Sequence, residues 1–280
     1  WVEKFRKALV EKYPNLTFAP REASTVSVIE VAKAFKYKHK GILRTLLRGL
    51  THFFTLQWTQ LGELLRVVMG RSKDPFDFYE ALIDFFQERK LHPTFFFLLG
   101  DYNYYDQGLS YNNLRYKYLI KHIADYAIVS VLGSYDATSR EEILLKERER
   151  MSNIINRPVK RFRANNNLLP LPELYQHLAA TEFKEDYTMG YLSHIGFRAG
   201  TCTPYIFYDI RLEVQIPIVV HSFALHWQHI DKQCTKETLY LIETIKQQVA
   251  DLKGDFISIF SPEYLSKAPN RFSLYKKVVN

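Results

Sequence analysis

Between Phe183 and Asp209 the chain reads FKEDYTMGYLSHIGFRAGTCTPYIFYD. Asp186, Tyr187, Tyr191, His194, Arg198, Cys202, Tyr205 and Tyr208 crowd there around Gly196, Gly200 and Pro204. Alternating segments broken by glycine predict strand, turn, strand, with glycine where the backbone bends sharply. Polar groups and tyrosine rings gathered at strand ends are what a carbohydrate site uses: donors for hydroxyls and flat faces for sugar rings. The same residues would also make an ordinary strand pair with surface tyrosines. Downstream, His221 ends the apolar run IPIVVH, where a lone histidine is as a rule a hydrogen-bonded structural residue. His226 and His229, at i, i+3, would share a helical face and with His221 make a rival metal site. Cys202 and Cys234 are too few for a disulfide framework and lack zinc-ribbon spacing; they read as two thiols or one disulfide.

The elements that must position these groups alternate along the chain. VEKFRKALVEKY, Val2 to Tyr13, has helical spacing and stops before Pro14. TVSVIEV, Thr25 to Val31, is β-branched and predicts the first strand, followed by the basic loop AKAFKYKHKG. Leu43 to Met69 predicts one or two helices, and Asp74-Pro75 a new helix N-terminus. HPTFFFLL, His92 to Leu99, reads as a strand buried on both faces. A tyrosine-rich loop, 101–113, precedes a helix from about Leu114 to Asp125. Further strands are predicted at Tyr126–Leu132, Val159–Arg163, Ile216–His221 and Asp255–Ser261. Helices are predicted at Ser139–Ile155, with Ser139 and Glu142 as a capping box, at Pro172–Ala180 and at Lys236–Leu252. Strand–helix alternation of this kind implies an α/β fold with a mainly parallel sheet or barrel.

EDYTMGY followed by GFRAGTCTPYIFYD resembles the polysaccharide deacetylase family, in the form found in bacterial envelope-glycan clusters. The similarity runs from about Val26 to the C-terminus. It implies a distorted (β/α) barrel whose strand ends hold a divalent metal such as zinc and deacetylate N-acetylated sugars. On this resemblance residues 25–280 form the barrel, and 1–24 a helix and lead-in that could end a preceding domain. The family's paired acids at the end of the first strand fall here on Glu30 and Ala32. The family's first histidine falls on Leu132, in SVLGSY, and its second on Asn165, in RANNN. The three positions that would ligate metal are thus Ala32, Leu132 and Asn165, and no metal cofactor is expected, since a catalytic ion needs about three protein ligands. Arg163 and Asp186 match a pair that orients the catalytic base in relatives, and His221 matches a late histidine, a candidate general acid. The implied sugar-binding residues are Tyr135, Tyr187, Arg198 and Tyr205.

Composition narrows the classes. At 280 residues, 47% hydrophobic and 15% aromatic, the chain can bury the core of one large α/β domain. The formal charge of +8 reads as scattered Lys and Arg and fits an anionic glycan or membrane surface; without a helix-turn-helix or finger motif, nucleic acid is not expected. No apolar run approaches a membrane span and no signal peptide is visible, which leaves a cytoplasmic or envelope-associated place open. The chain opens on Trp1 rather than Met, as a trimmed or processed protein would. Three functions follow: a non-catalytic glycan-binding relative of the deacetylases or a partner of active ones, a divergent hydrolase working through Glu30 and His221, or a protein-interaction domain using the loop 101–113.

Overall fold

A computed structural model describes residues 2–232 and 235–280. Cys234, and with it the disulfide alternative, lies outside the described residues. Nine strands form one sheet: β1 Ser24–Val31, β2 Thr94–Leu98, β3 Ile128–Gly133, β4 Arg161–Ala164, β5 Glu185–Asp186, β6 Tyr205–Asp209, β7 Val214–Val220, β8 Leu225–His226 and β9 Asp255–Phe260. Their order is β6-β7-β5-β4-β3-β2-β1-β9-β8, and every pairing is parallel except β6 with β7. The long apolar runs end up central, as expected for strands covered on both faces.

Alternation along each strand divides the core. Ile29, Val31, Phe95, Phe97, Val131 and Phe162 face the packed helices, while Val28, Phe96, Leu98, Leu132, Ile257 and Ile259 form a second, inner cluster with Tyr187 and Phe223. Glu30 on β1 is touched by Arg163 from β4 and by His226 from β8, strands five places apart in the sheet order. One carboxylate can meet both only if the sheet curls round its inner cluster. The edges β6 and β8 do not pair, and residues 189–202 run between them: Met189 O accepts from Phe223 N, Gly196 N donates to Ala224 O, and Cys202 O accepts from Asp255 N. Gly254 permits the last contact, since a Cβ there would lie 2.3 Å from Cys202 Sγ.

Several expectations are corrected. Phe183 to Asp209 is not a strand pair: β5 pairs with β4 and β7, β6 pairs with β7, and an eighteen-residue loop separates them. Asp74 does not start a helix; the next one is Tyr79–Arg89. The buried Asp74 carboxylate instead accepts the backbone N–H groups of Lys36, Tyr37, Lys38 and Phe76 at 2.8–3.0 Å, which fixes the basic loop after β1. Ser139 caps nothing, because the helix Glu141–Ile155 begins two residues later with Arg140 at its cap. The helix Val2–Lys12 buries none of its residues. No described helix is long and apolar enough to cross a membrane.

Candidate functional site

A cavity of about 240 Å³ opens where β1, β4, β8 and β9 end. Its floor is a charged knot centred on Glu30. Glu30 Oε2 accepts from Arg163 Nε at 3.1 Å, with Arg163 Nη2 at 3.0 Å, and Oε1 accepts from His226 Nε2 at 3.0 Å and Trp227 Nε1 at 2.6 Å. Arg163 is fully buried; its Nη1 donates to Tyr187 O at 2.8 Å, and its guanidinium lies 5.0 Å from the Phe223 ring centre. Burial alone would raise the Glu30 carboxyl. The electrostatic pull of the His226 ring and of the Arg163 guanidinium, with the N–H donors of His226 and Trp227, outweighs burial and holds it well below the usual carboxylate range. Burial lowers His226, against the pull of Glu30. His226 is therefore neutral, and because Gln228 N donates to its Nδ1 at 3.3 Å, the proton sits on Nε2, facing Glu30.

The walls come from loops that the sequence builds locally. After β4, Asn166 and Asn167 adopt φ of 55° and 56°, a left-handed conformation that Asn tolerates better than most residues. Asn167 Nδ2 then donates to Gly190 O at 2.9 Å, and Asn165 Nδ2 to Asp106 Oδ1 at 2.9 Å. Asp106, buried in the tyrosine-rich loop, also accepts from Tyr135 N at 2.8 Å. Thus one carboxylate ties the loops after β2, β3 and β4 together. Tyr105 reaches the cavity and stacks on Tyr135, ring centres 4.0 Å apart. Lys33, Gln107, Leu192, Trp227, Gln228 and Glu263 also line it. Amides and two aromatic rings suit hydroxyls and a sugar face, in a space smaller than the roughly 300–1,000 Å³ of common ligand pockets.

The predicted residues separate into groups. Glu30, Arg163, Ala32 and Asn165 line this cavity. Leu132 does not: it is fully buried in the inner apolar cluster, in register with Leu98 and Arg163. Arg163 does not pair with Asp186 as expected; Asp186 accepts from Tyr175 Oη at 3.0 Å and Thr188 Oγ1 at 2.5 Å, and burial raises its carboxyl. His221 is not in the cavity, but stacks on Tyr187 at 4.5 Å with its Nε2 3.4 Å from Glu185. Tyr187 is buried, Arg198 is exposed and Tyr205 packs against the core, so these three do not line it either; Tyr135 contributes through Tyr105. The three histidines make no common site: His226 is on a strand rather than a helix, and half-buried His229 Nδ1 donates to Ser193 O at 2.7 Å. Asp106, Trp227 and the Glu30–His226 contact were not foreseen. Nothing in DYNYYDQG or ALHWQH distinguishes them from loop and helix residues.

The residues present do not fit the divalent ion that the resemblance implies. Ala32 and Leu132 have no donor atom, Asn165 offers at most one amide oxygen while its Nδ2 is held by Asp106, and both Glu30 oxygens already face N–H groups. Among the described residues no three His, Cys, Asp or Glu side chains are grouped to hold a metal.

No family model and no curated protein matches the chain. Among solved structures, a protein of Mycobacterium smegmatis assigned as a polysaccharide deacetylase is similar over 94% of this chain and 85% of its own, with TM-score 0.58 and 14% identity. A CE4 family pseudoenzyme from Bacillus anthracis is a looser match, TM-score 0.45 at 10% identity over 92% of this chain and 62% of its own. At 14% identity the first likeness establishes the fold, the distorted α/β barrel of the polysaccharide deacetylases, with its sheet left open between β6 and β8.

Proposed function

We propose that this chain is a member of the polysaccharide deacetylase family that binds glycan at its strand ends without deacetylating it. The supporting observation is the state of Glu30. A general base needs a free lone pair and a pKa near the working pH. Glu30 meets N–H groups at both oxygens and is held strongly ionised, so it is a poor proton acceptor. Nor does His221, the partner of the divergent-hydrolase reading, line the same cavity. What the cavity offers is recognition: Gln107, Asn166 and Gln228 for hydroxyls, Trp227 and Tyr105 for a ring face, with room for a terminal unit of a chain. On this reading residues 25–280 are the glycan-binding body and 1–24 a lead-in, tied down where Arg21 meets Asp255 at 3.2 Å. The protein-interaction reading draws on the loop 101–113, whose Tyr102, Tyr104 and Tyr105 are exposed.

The test pairs turnover with binding. Acetate release from chitin-type oligomers, peptidoglycan and acetylxylan should stay at background, with or without added divalent metal. The same oligomers should quench or shift Trp227 fluorescence, and Trp227→Phe or Gln228→Ala should weaken binding by about 1–3 kcal/mol. Metal-dependent turnover that Glu30→Gln abolishes would overturn this reading in favour of a divergent deacetylase.

A further inference from the structure

The basic loop after β1 leads into two helices, Ile42–Phe54 and Trp58–Val68, that pack in an unusual sense. The second buries Leu64 and Val67 against Tyr37, and the first buries only His52. Ile42, Leu43, Leu46, Leu47, Leu50, Phe53 and Phe54 are all exposed, Ile42 to 82% and Phe54 to 77%. At 100° per residue these seven fall within an arc of about 140°, one unbroken apolar face. Thr45, Arg48, Gly49 and His52 take the opposite side, towards the protein. This is an amphipathic helix turned inside out. At the tip of the hairpin Phe53 packs edge-on against Phe54 and Trp58, beside exposed Leu56. Exposed apolar area of this continuity marks an interaction site rather than ordinary surface.

Charge identifies the partner. Residues 33–73 contain nine Lys and Arg and one acid ahead of Asp74, namely Glu63, a surplus equal to the +8 of the whole chain. The excess charge is therefore concentrated here rather than scattered. Glu63 is taken up by Lys36 at 2.6 Å and Tyr37 at 2.8 Å, and Asp74 by the backbone. Lys40 has no ion pair among the described residues; burial first, then the charges of Arg48, Lys33 and Arg44, push its ammonium down to about 8. A second copy would bring two such cationic rims together, and they would repel. An anionic lipid surface satisfies both features: acyl chains for the Leu/Phe face, phosphates for the cations, and the interfacial layer for Trp58.

We propose that the hairpin Ile42–Val68 docks this protein flat on an anionic bilayer. The cavity mouth then lies close to the membrane surface. Arg44 sits over the Tyr102 ring at 3.8 Å and Asn113 Nδ2 donates to His39 O at 3.0 Å, joining the hairpin to the loop that bears Tyr105.

Vesicle co-sedimentation tests the proposal separately from glycan binding, which is measured on free oligomers. The whole protein should sediment with vesicles of equal parts phosphatidylcholine and phosphatidylglycerol, weakly with phosphatidylcholine alone, and less as salt rises. Leu47→Glu or Phe54→Glu should cut partitioning at least about 10-fold while leaving the unfolding transition unchanged, because both side chains already face solvent. Lys40→Ala and Arg44→Ala should each cost about 5-fold. Absence of partitioning overturns the proposal, and so does sedimentation that Leu47→Glu and Phe54→Glu leave intact, which would mark charge attraction alone. A dimer in light scattering that Leu47→Glu dissociates, without vesicle binding, would assign the face to a second copy instead.

Discussion

The knot at Glu30 makes a quantitative prediction about paired and unpaired charge. Arg163 is fully buried, and Glu30 is its counter-ion at 3.0 Å. Glu30→Gln leaves that guanidinium without a charge partner. It also creates a local conflict, because the amide oxygen must stay with His226 and Trp227 and so turns the NH2 group towards Arg163. A loss of about 3–5 kcal/mol is expected, as for other broken buried pairs. Arg163→Met leaves a buried carboxylate with only neutral donors, and the same range applies. Together, Glu30→Gln and Arg163→Met remove both charges and should cost less than either alone, since neutral replacement of a buried pair is often tolerated. The sign with pH follows from the depressed carboxyl. Its contribution is complete above the unfolded value of 4.5 and is lost as pH falls below it, so the wild type should show an acid decline that Glu30→Gln flattens. Urea unfolding of the four proteins, near neutral pH and in acid, measures both effects. Single losses that add to within about 0.5 kcal/mol in the double variant would refute the reasoning, because they would mean that the two charges do not depend on each other.

Two further outcomes follow from buried carboxyls elsewhere. Burial pushes Glu147 up to about 7, so the folded protein keeps a proton that the unfolded chain releases from about 4.5 upward; stability should fall between those values, and Glu147→Gln should gain up to about 3 kcal/mol above pH ~7 and nothing below pH ~4.5 in urea titrations. Asp74→Ala strands four backbone donors and should cost about 3 kcal/mol, with faster amide exchange at Lys36, Tyr37 and Lys38, while Asp74→Asn, which keeps one acceptor oxygen, should recover part of both.

The strands were legible where apolar content and length agreed, as in FFFLL and TVSVIEV, because burial on both faces leaves a compositional trace. Leu225–His226 was not, since a strand of two residues has no periodicity to read. The histidine motif therefore looked helical, and its real partner, Glu30, lies 196 residues away. Arg163 lines the cavity, but its choice between Glu30 and Asp186 depends on which side chains point inward together. That is fixed by sheet curvature rather than by any local pattern. Asp74-Pro75 carried a real signal, a carboxylate satisfying orphan N–H groups, yet the groups it satisfies belong to a loop 36 to 38 residues earlier.

The way β1 is placed also bears on how the protein is made. Its neighbours are β2, which leaves the ribosome soon after it, and β9, where Ser24 pairs with Asp255. During synthesis one edge of β1 stays open until almost the whole chain exists, an arrangement of high contact order that folds slowly and exposes a strand edge to wrong partners. Arg163 arrives 133 residues after Glu30, and His226 later still. The carboxylate therefore remains hydrated and uncommitted through most of translation, and the site is among the last parts of the barrel to close. A chain stopped short of Asp255 would contain β1 to β8 yet lack β9, the strand that joins β1 to β8, so truncation at the C-terminus should strike the site first.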